Sequence, residues 1–209
     1  MFADKTIREF LDEAASSAPT PGGGSVAALT GALGAALLSM VCNLTVGKEK
    51  YRDVEPDILR LLSETETLRK ELLELLEADV QAYGKLSAAM KMPRATEDEK
   101  KARTAALQEA LVTATNVPLD IARRCSRVVE LAMPVAEKGN VNAVSDAGVG
   151  VLLGEAALHA ALLNVKINLG LIKDHEIVDK AKRAMAECAE GKPELKDRVM
   201  ALVNQKLEG

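Results

Sequence analysis

Aromatic side chains are nearly missing from this sequence. Its 209 residues include four, Phe2, Phe10, Tyr51 and Tyr83, and no tryptophan. Sandwiches and barrels rely on aromatic and β-branched residues to fill a pleated surface, so the scarcity favours an Ala- and Leu-rich helical protein. The three cysteines, Cys42, Cys125 and Cys188, are odd in number and far apart. That pattern argues against a disulfide scaffold or a zinc site and fits a reducing cytosol. Two histidines, His159 and His175, cannot furnish a multi-histidine centre, and no metal is expected. An excess of positive charge is lacking as well. Lys and Arg number 27 against 31 Asp and Glu, a net of −4, so the basic footprint of a nucleic-acid binder is absent. The first residues mix both signs (Asp4, Lys5, Arg8, Glu9) with no signal-type apolar stretch, and a cytoplasmic location is expected.

What is abundant is apolar, at 48% of residues, and unevenly distributed. From Ala14 to Gly47 there is no charge at all, and residues 26–46 are mostly apolar. The length would satisfy a membrane span. However, the stretch is rich in Ala, Gly, Ser and Thr, lacks an aromatic belt and opens on a Pro/Gly turn, so a central helix enclosed by its neighbours explains the pattern better, and no membrane partner is expected. Within it Ala27, Gly31, Gly34, Ala35 and Leu38 recur at three- and four-residue steps, spacing that lets another helix backbone come close.

The periodicity elsewhere is helical throughout. A first helix over about 6–16 places Ile7, Phe10, Leu11 and Ala14 on one face. Ser25 reads as the N-cap of the apolar second helix. A very long helix over 55–90, with Pro56 in its first turn, would span ~50 Å at 1.5 Å per residue, as in helices that line a bundle or a subunit contact. Thr96 and Glu99 form a capping-box pattern that opens a helix running towards Glu137, with a kink or fresh start at Pro118. Residues 139–146 read as irregular, followed by an apolar helix over 147–171 and two short amphipathic helices over 176–190 and 194–208. The expected fold is an all-α, single-domain helical bundle of residues 1–209 with long antiparallel helices.

Two irregular segments precede the almost uncharged helices. In Pro21-Gly22-Gly23-Gly24-Ser25 three glycines allow close backbone approach, and free N–H groups at a helix start favour negative charge. The same residues would serve equally well as a tight turn, and no Gly-Lys-Ser/Thr follows as in a phosphate loop. In Gly139–Asp146, the residues Asn140, Asn142, Ser145 and Asp146 offer donors and acceptors, although an Asx-type turn with a helix cap is the simpler reading. Asp79 lies four residues from both Leu75 and Tyr83 on the apolar side of the long helix. A carboxylate so placed needs a partner or takes up a proton, which suits acid–base work. Lys48, Lys50 and Arg52 form a basic cluster that is a carboxylate site or simply a solvated loop. His159 reads as a satisfied core or interface histidine, and Asn164 and Asn168, one turn apart, face one side and need partners.

In this order, Pro19-Thr-Pro-Gly-Gly-Gly-Ser25, Leu44-Thr-Val-Gly-Lys48 with Tyr51, Asp79-x-x-Ala-Tyr83, Val117-Pro-Leu119, Gly139-Asn-Val-Asn142 with Ser145-Asp146, and Asn164 with Asn168 resemble the cyclodeaminase/cyclohydrolase family of one-carbon folate enzymes. Each motif is weak alone; the ordered set, spread over about 150 residues, is specific. The resemblance implies an all-helical homodimer with its site in a groove near the subunit contact. It further implies one of two reactions: hydrolysis of 5,10-methenyltetrahydrofolate to 10-formyltetrahydrofolate, or cyclisation of 5-formiminotetrahydrofolate with loss of ammonia. On that reading Asp79 and Asp146 form the acid–base or electrostatic pair, and Lys48 donates a proton or binds the folate. Gly22, Gly23, Gly24, Ser25, Tyr83, Asn140, Asn142 and Ser145 then contact or orient the substrate. No cofactor beyond the tetrahydrofolate substrate is expected. A non-catalytic dimeric helical scaffold is the rival from another class.

Overall fold

Helices poor in charge and rich in small residues can be central only if their neighbours come very close, and the fold is organised around two of them. A computed structural model describes residues 1–208, which form α1 (Ile7–Ala14), α2 (Gly23–Asn43), α3 (Glu55–Met90), α4 (Glu97–Lys138), α5 (Val144–Leu169), α6 (His175–Ala189) and α7 (Lys192–Glu208), with no strand among them. The helix starts follow local chemistry. Thr6 and Thr96 close capping boxes with Glu9 and Glu99, and Asp174 caps α6 through the amides of Glu176 and Ile177.

Helices α2 to α5 run up, down, up and down. Ser25 meets Asp79 and Ser39 meets Thr65, so α3 descends beside α2. Arg124 pairs with Glu71, Arg127 with Glu64 and Lys138 with Asp57, which sets α4 antiparallel to α3. Helix α5 returns along both α4 and α2. Its seam with α2 is built from glycine: a Cβ on Gly34 would lie 2.9 Å from the Gly150 carbonyl oxygen and 3.3 Å from the Gly154 nitrogen. Backbones at that separation exclude any side chain, and the small-residue spacing of α2 is answered on α5 by Gly150 and Gly154. Around the seam Leu38, Ile58, Leu72, Leu76, Ile121 and Leu158 are wholly buried, each contributing roughly 2 kcal/mol of transfer free energy. Helices α6 and α7 cover α4 and the start of α5. Lys206 donates to the carbonyls of Ala136 (2.7 Å) and Glu137 (2.8 Å) in the last turn of α4, as cations do at helix C-termini.

Several expectations change. Ser25 is not the cap of α2: the helix begins at Gly23 after Gly22, and no side chain of the preceding loop caps it. Of the proposed inner face of α1, only Phe10 is buried; Ile7 and Leu11 are 82% and 59% exposed. Pro118 does not restart α4, which is one continuous helix through both Pro118 and Pro134. Residues 139–146 are not wholly irregular, since a short 3₁₀ turn over Val141–Ala143 leads into α5 at Val144, so Ser145 and Asp146 sit in its first turn. Two helices, Gly23–Asn43 and Val141–Leu169, are long and apolar enough to cross a membrane by length and composition; here 61% and 50% of those windows are buried inside the fold.

Because Gly34 faces backbone, Gly34→Val forces α2 from α5. We expect a loss of about 2 kcal/mol or more, read as a lower urea midpoint with unchanged slope.

Candidate active site

Gly23, Gly24 and Ser25 form the first turn of α2, whose amide N–H groups have no partners within the helix. A side chain from α3 takes the place of a local cap. Ser25 Oγ donates to Asp79 Oδ2 at 2.7 Å, and the Ser25 backbone N–H also bonds to this carboxyl. The approach is possible only because residue 24 lacks a side chain: a Cβ there would stand 2.1 Å from Asp79 Oδ1. Burial pushes the Asp79 carboxyl above the usual carboxylate range, and the two Ser25 hydrogen bonds offset only part of that effect. Asp79 is therefore a half-buried acid that takes up a proton more readily than a surface aspartate.

Asp79 borders a cavity of about 330 Å³, lined also by Gly22, Gly23, Gly24, Thr20, Tyr83, Asn164 and Asn168. Its apolar side is made by Leu86, Met90, Ile167 and Leu171. A flat ring system could lie along that side with a polar end towards Asp79. A larger cavity of about 610 Å³ lies between α4 and α6, but none of the candidate residues reaches it, and its Arg123 is paired with Asp120 at 2.7 Å. Among the described residues no cluster of three or more His, Cys, Asp or Glu is placed to hold a metal ion. The cysteines offer no nucleophile: all three are buried, and burial raises the Cys42 thiol to about 11 and that of Cys125 to about 12.

The second cluster lies at the opposite end of the bundle. Asn140 is buried, and its bonding groups are spent on the fold. Its N–H donates to Thr45 Oγ1 (2.8 Å), its Nδ2 to the Leu44 carbonyl (2.9 Å), and its Oδ1 accepts from the Asn142 N–H (3.1 Å) and Tyr51 Oη (3.4 Å). Asn140 thus staples the 44–51 loop to the start of α5, a role different from orienting substrate. Asn142, Ser145 and Lys48 are exposed at this end, with Asp146 half-buried beside them in sequence.

One chain therefore does not bring Asp79 and Asp146 together. Asn164, beside Gly23, is eighteen residues along α5 from Asp146, about 27 Å at 1.5 Å per residue. Nor does Ser25 touch a ligand, since it is fully buried; it holds Asp79 instead. Gly22, Gly23, Gly24 and Tyr83 do line the cavity, and Asn164 and Asn168 join them. His159 is no core residue: its side chain is 50% exposed, 3.6 Å from Glu155, halfway along the outer face of α5.

The family model described as formiminotransferase-cyclodeaminase matches residues 6–187, both clusters included. The chain belongs to this family. A methenyltetrahydrofolate cyclohydrolase of Methylorubrum extorquens is 46% identical over 207 residues, covering 99% of this chain and 100% of its own. The formimidoyltransferase-cyclodeaminase of Rattus norvegicus is 34% identical over 183 residues, 88% of this chain but only 34% of that longer protein. In structure, the chain superposes on formiminotetrahydrofolate cyclodeaminase from Thermotoga maritima with a TM-score of 0.88 at 31% identity, covering 99% of this chain and 100% of that one. The all-α bundle is thus that of the formiminotransferase-cyclodeaminase family.

Because the folded state favours the protonated form of Asp79, the stability this carboxyl contributes is complete below its ordinary value of 3.8 and is lost as pH rises through the raised value. Asp79→Asn removes that loss. Its melting temperature relative to wild type should rise as the pH is raised above the ordinary carboxyl value of 3.8, measured by paired thermal melts.

Proposed function

We propose that the protein hydrolyses 5,10-methenyltetrahydrofolate to 10-formyltetrahydrofolate. The observation that carries the reading is Asp79, a carboxyl with a raised proton affinity held by Ser25 against an otherwise uncharged cavity. Full-length similarity to a cyclohydrolase supports the choice of reaction. In this reaction water adds to the amidinium carbon, a base takes the water proton, and the tetrahedral carbon then expels a ring nitrogen that an acid protonates. A carboxylate facing the cationic bridge also stabilises it by charge.

Asp146 and Lys48 would supply the second half of this chemistry from a second copy of the chain. The outer faces of α2 and α5 carry exposed apolar residues along their length: Val26, Leu33 and Met40 on α2, with Leu44 just past its end, and Val149, Leu152, Leu163 and Ile167 on α5. Val26, Leu33 and Met40 follow a seven-residue repeat, the pattern of a helix that packs on other helices. One cluster stands at each end of this stripe. A two-fold axis across its middle, near His159, therefore sets the Asp79 end of one protomer against the Asp146 end of its partner and covers the stripe. We infer a homodimer with two composite sites.

Cyclodeamination of 5-formiminotetrahydrofolate is the second reading, favoured by the structural likeness to a cyclodeaminase. It needs the same acid to release ammonia. Loss of the near-ultraviolet absorbance of methenyltetrahydrofolate over the buffer rate marks the hydrolase; its appearance from formiminotetrahydrofolate with ammonia marks the deaminase. Silence in both, without folate binding by calorimetry, returns the protein to a helical scaffold.

Asp79→Asn and Asp146→Asn should each reduce kcat by about a hundredfold or more. Mixing and re-annealing the two inactive variants should restore about a quarter of wild-type activity, because half of the dimers then carry one intact site. No recovery on mixing, with subunit exchange verified, removes the composite site.

A further inference from the structure

An uninterrupted helix would have the N–H of residue 118 donate to the carbonyl of residue 114. Pro118 has no such group, so the oxygen of Ala114, a residue only 8% exposed, loses its helical donor. Asn168, on the last turns of α5, provides the missing donor: its Nδ2 lies 2.6 Å from the Ala114 oxygen. This contact also fixes the amide. Turning it over would bring two acceptor oxygens together, so Nδ2 faces α4 and Oδ1 faces away. Among the described residues Oδ1 has no hydrogen-bond partner, and no buried side-chain nitrogen or oxygen is left unpaired. Oδ1 is thus accessible, and Asn168 and Ala114 both line the Asp79 cavity. One turn earlier, the Nδ2 of Asn164 is likewise committed, to the Ala160 carbonyl at 2.9 Å. The cavity lining offers acceptors at Asp79, Asn164 and Asn168 and contains no cationic side chain.

We propose that Asn168 is a specificity-determining residue, a fixed acceptor for an N–H donor on the ring edge of the reduced folate, and that Pro118 is the positioning residue that aims it by leaving the Ala114 carbonyl without its helical partner. The assignment rests on the folate reading of this cavity. An amino-pyrimidinone ring presents adjacent N–H donors, and a site built to accept from them leaves its oxygens unpaired when the donor is missing. Binding through Asn168 does not touch the reacting carbon, so it belongs in KM rather than kcat.

The test is a double-variant cycle read in both stability and kinetics. Asn168→Ala strands the Ala114 oxygen and removes the acceptor: its melting temperature falls and KM for methenyltetrahydrofolate rises about tenfold, with kcat within about twofold of wild type. Pro118→Ala alone restores the backbone N–H, frees the amide to rotate, and raises KM without loss of stability. Pro118→Ala combined with Asn168→Ala recovers the melting temperature, because α4 now closes its own hydrogen bond, while KM stays raised. Recovery of KM together with stability would show a purely structural pair and overturn the assignment. A wild-type KM in Asn168→Ala overturns it too. If wild-type protein converts neither folate, the folate reading itself fails. If wild type turns over and only the cycle is flat, that reading stands and Asn168 is reassigned.

Discussion

The close approach of α2 and α5 is the constraint on which the remaining structure depends. Gly34 meets the backbone of Gly150 and Gly154 with no space for a Cβ, and this contact fixes how far α5 can slide along α2. From that register it follows that Asn164 stands beside Gly23 at one end while Asn140 and the 44–51 loop are stapled together at the other. Helix α3 is set by the same logic at a second point. Gly24 has no side chain, so a carboxyl from α3 can stand over the first turn of α2. Packing glycines and site glycines are thus one device used twice, first to bring helix against helix and then to bring an acid against a helix end.

Much of this architecture was legible in the residues. Capping boxes at Thr6 and Thr96, Pro56 in a first turn and the long apolar periodicity mark the helices to within a few positions because their causes are local. The small-residue steps of α2 announced a close partner without saying which one. What the sequence could not show is where groups distant along the chain meet. Ser25 has the right type and place for an N-cap, yet the helix starts three residues sooner and the serine turns inward to Asp79. Asp79 and Asp146 both read as site carboxylates, and of the two only Asp79 borders the cavity. Only the antiparallel register shows that these are opposite ends of one bundle. Pro118 was visible as an interruption, but the consequence of a missing N–H depends on what lies beside the carbonyl four residues earlier, and that is Asn168 from α5.

The two ends of the bundle are also built on different principles. Around Asp79 the polar groups are spaced out along an open cavity, and burial leaves the acid's charge poorly solvated. Around Asn140 nearly every polar group is already satisfied by a neighbour, which makes a stiff platform carrying Asn142, Ser145 and Asp146. The homodimer proposed above would set the acceptor-rich pocket of one copy against the Asn140 edge of the other.

The glycine seam also bears on the order in which the chain can fold. Gly34 emerges from the ribosome more than a hundred residues ahead of Gly150 and Gly154, its partners. Throughout that interval α2, apolar on every side, has only α3 and α4 to shield it. The central contact is therefore among the last that synthesis permits, and the nascent chain carries an unfinished apolar surface until α5 arrives. A protein whose core is closed by its fifth helix depends on its early helices remaining soluble while they wait, and the dense charge on the outer faces of α3 and α4 is well placed to keep them so.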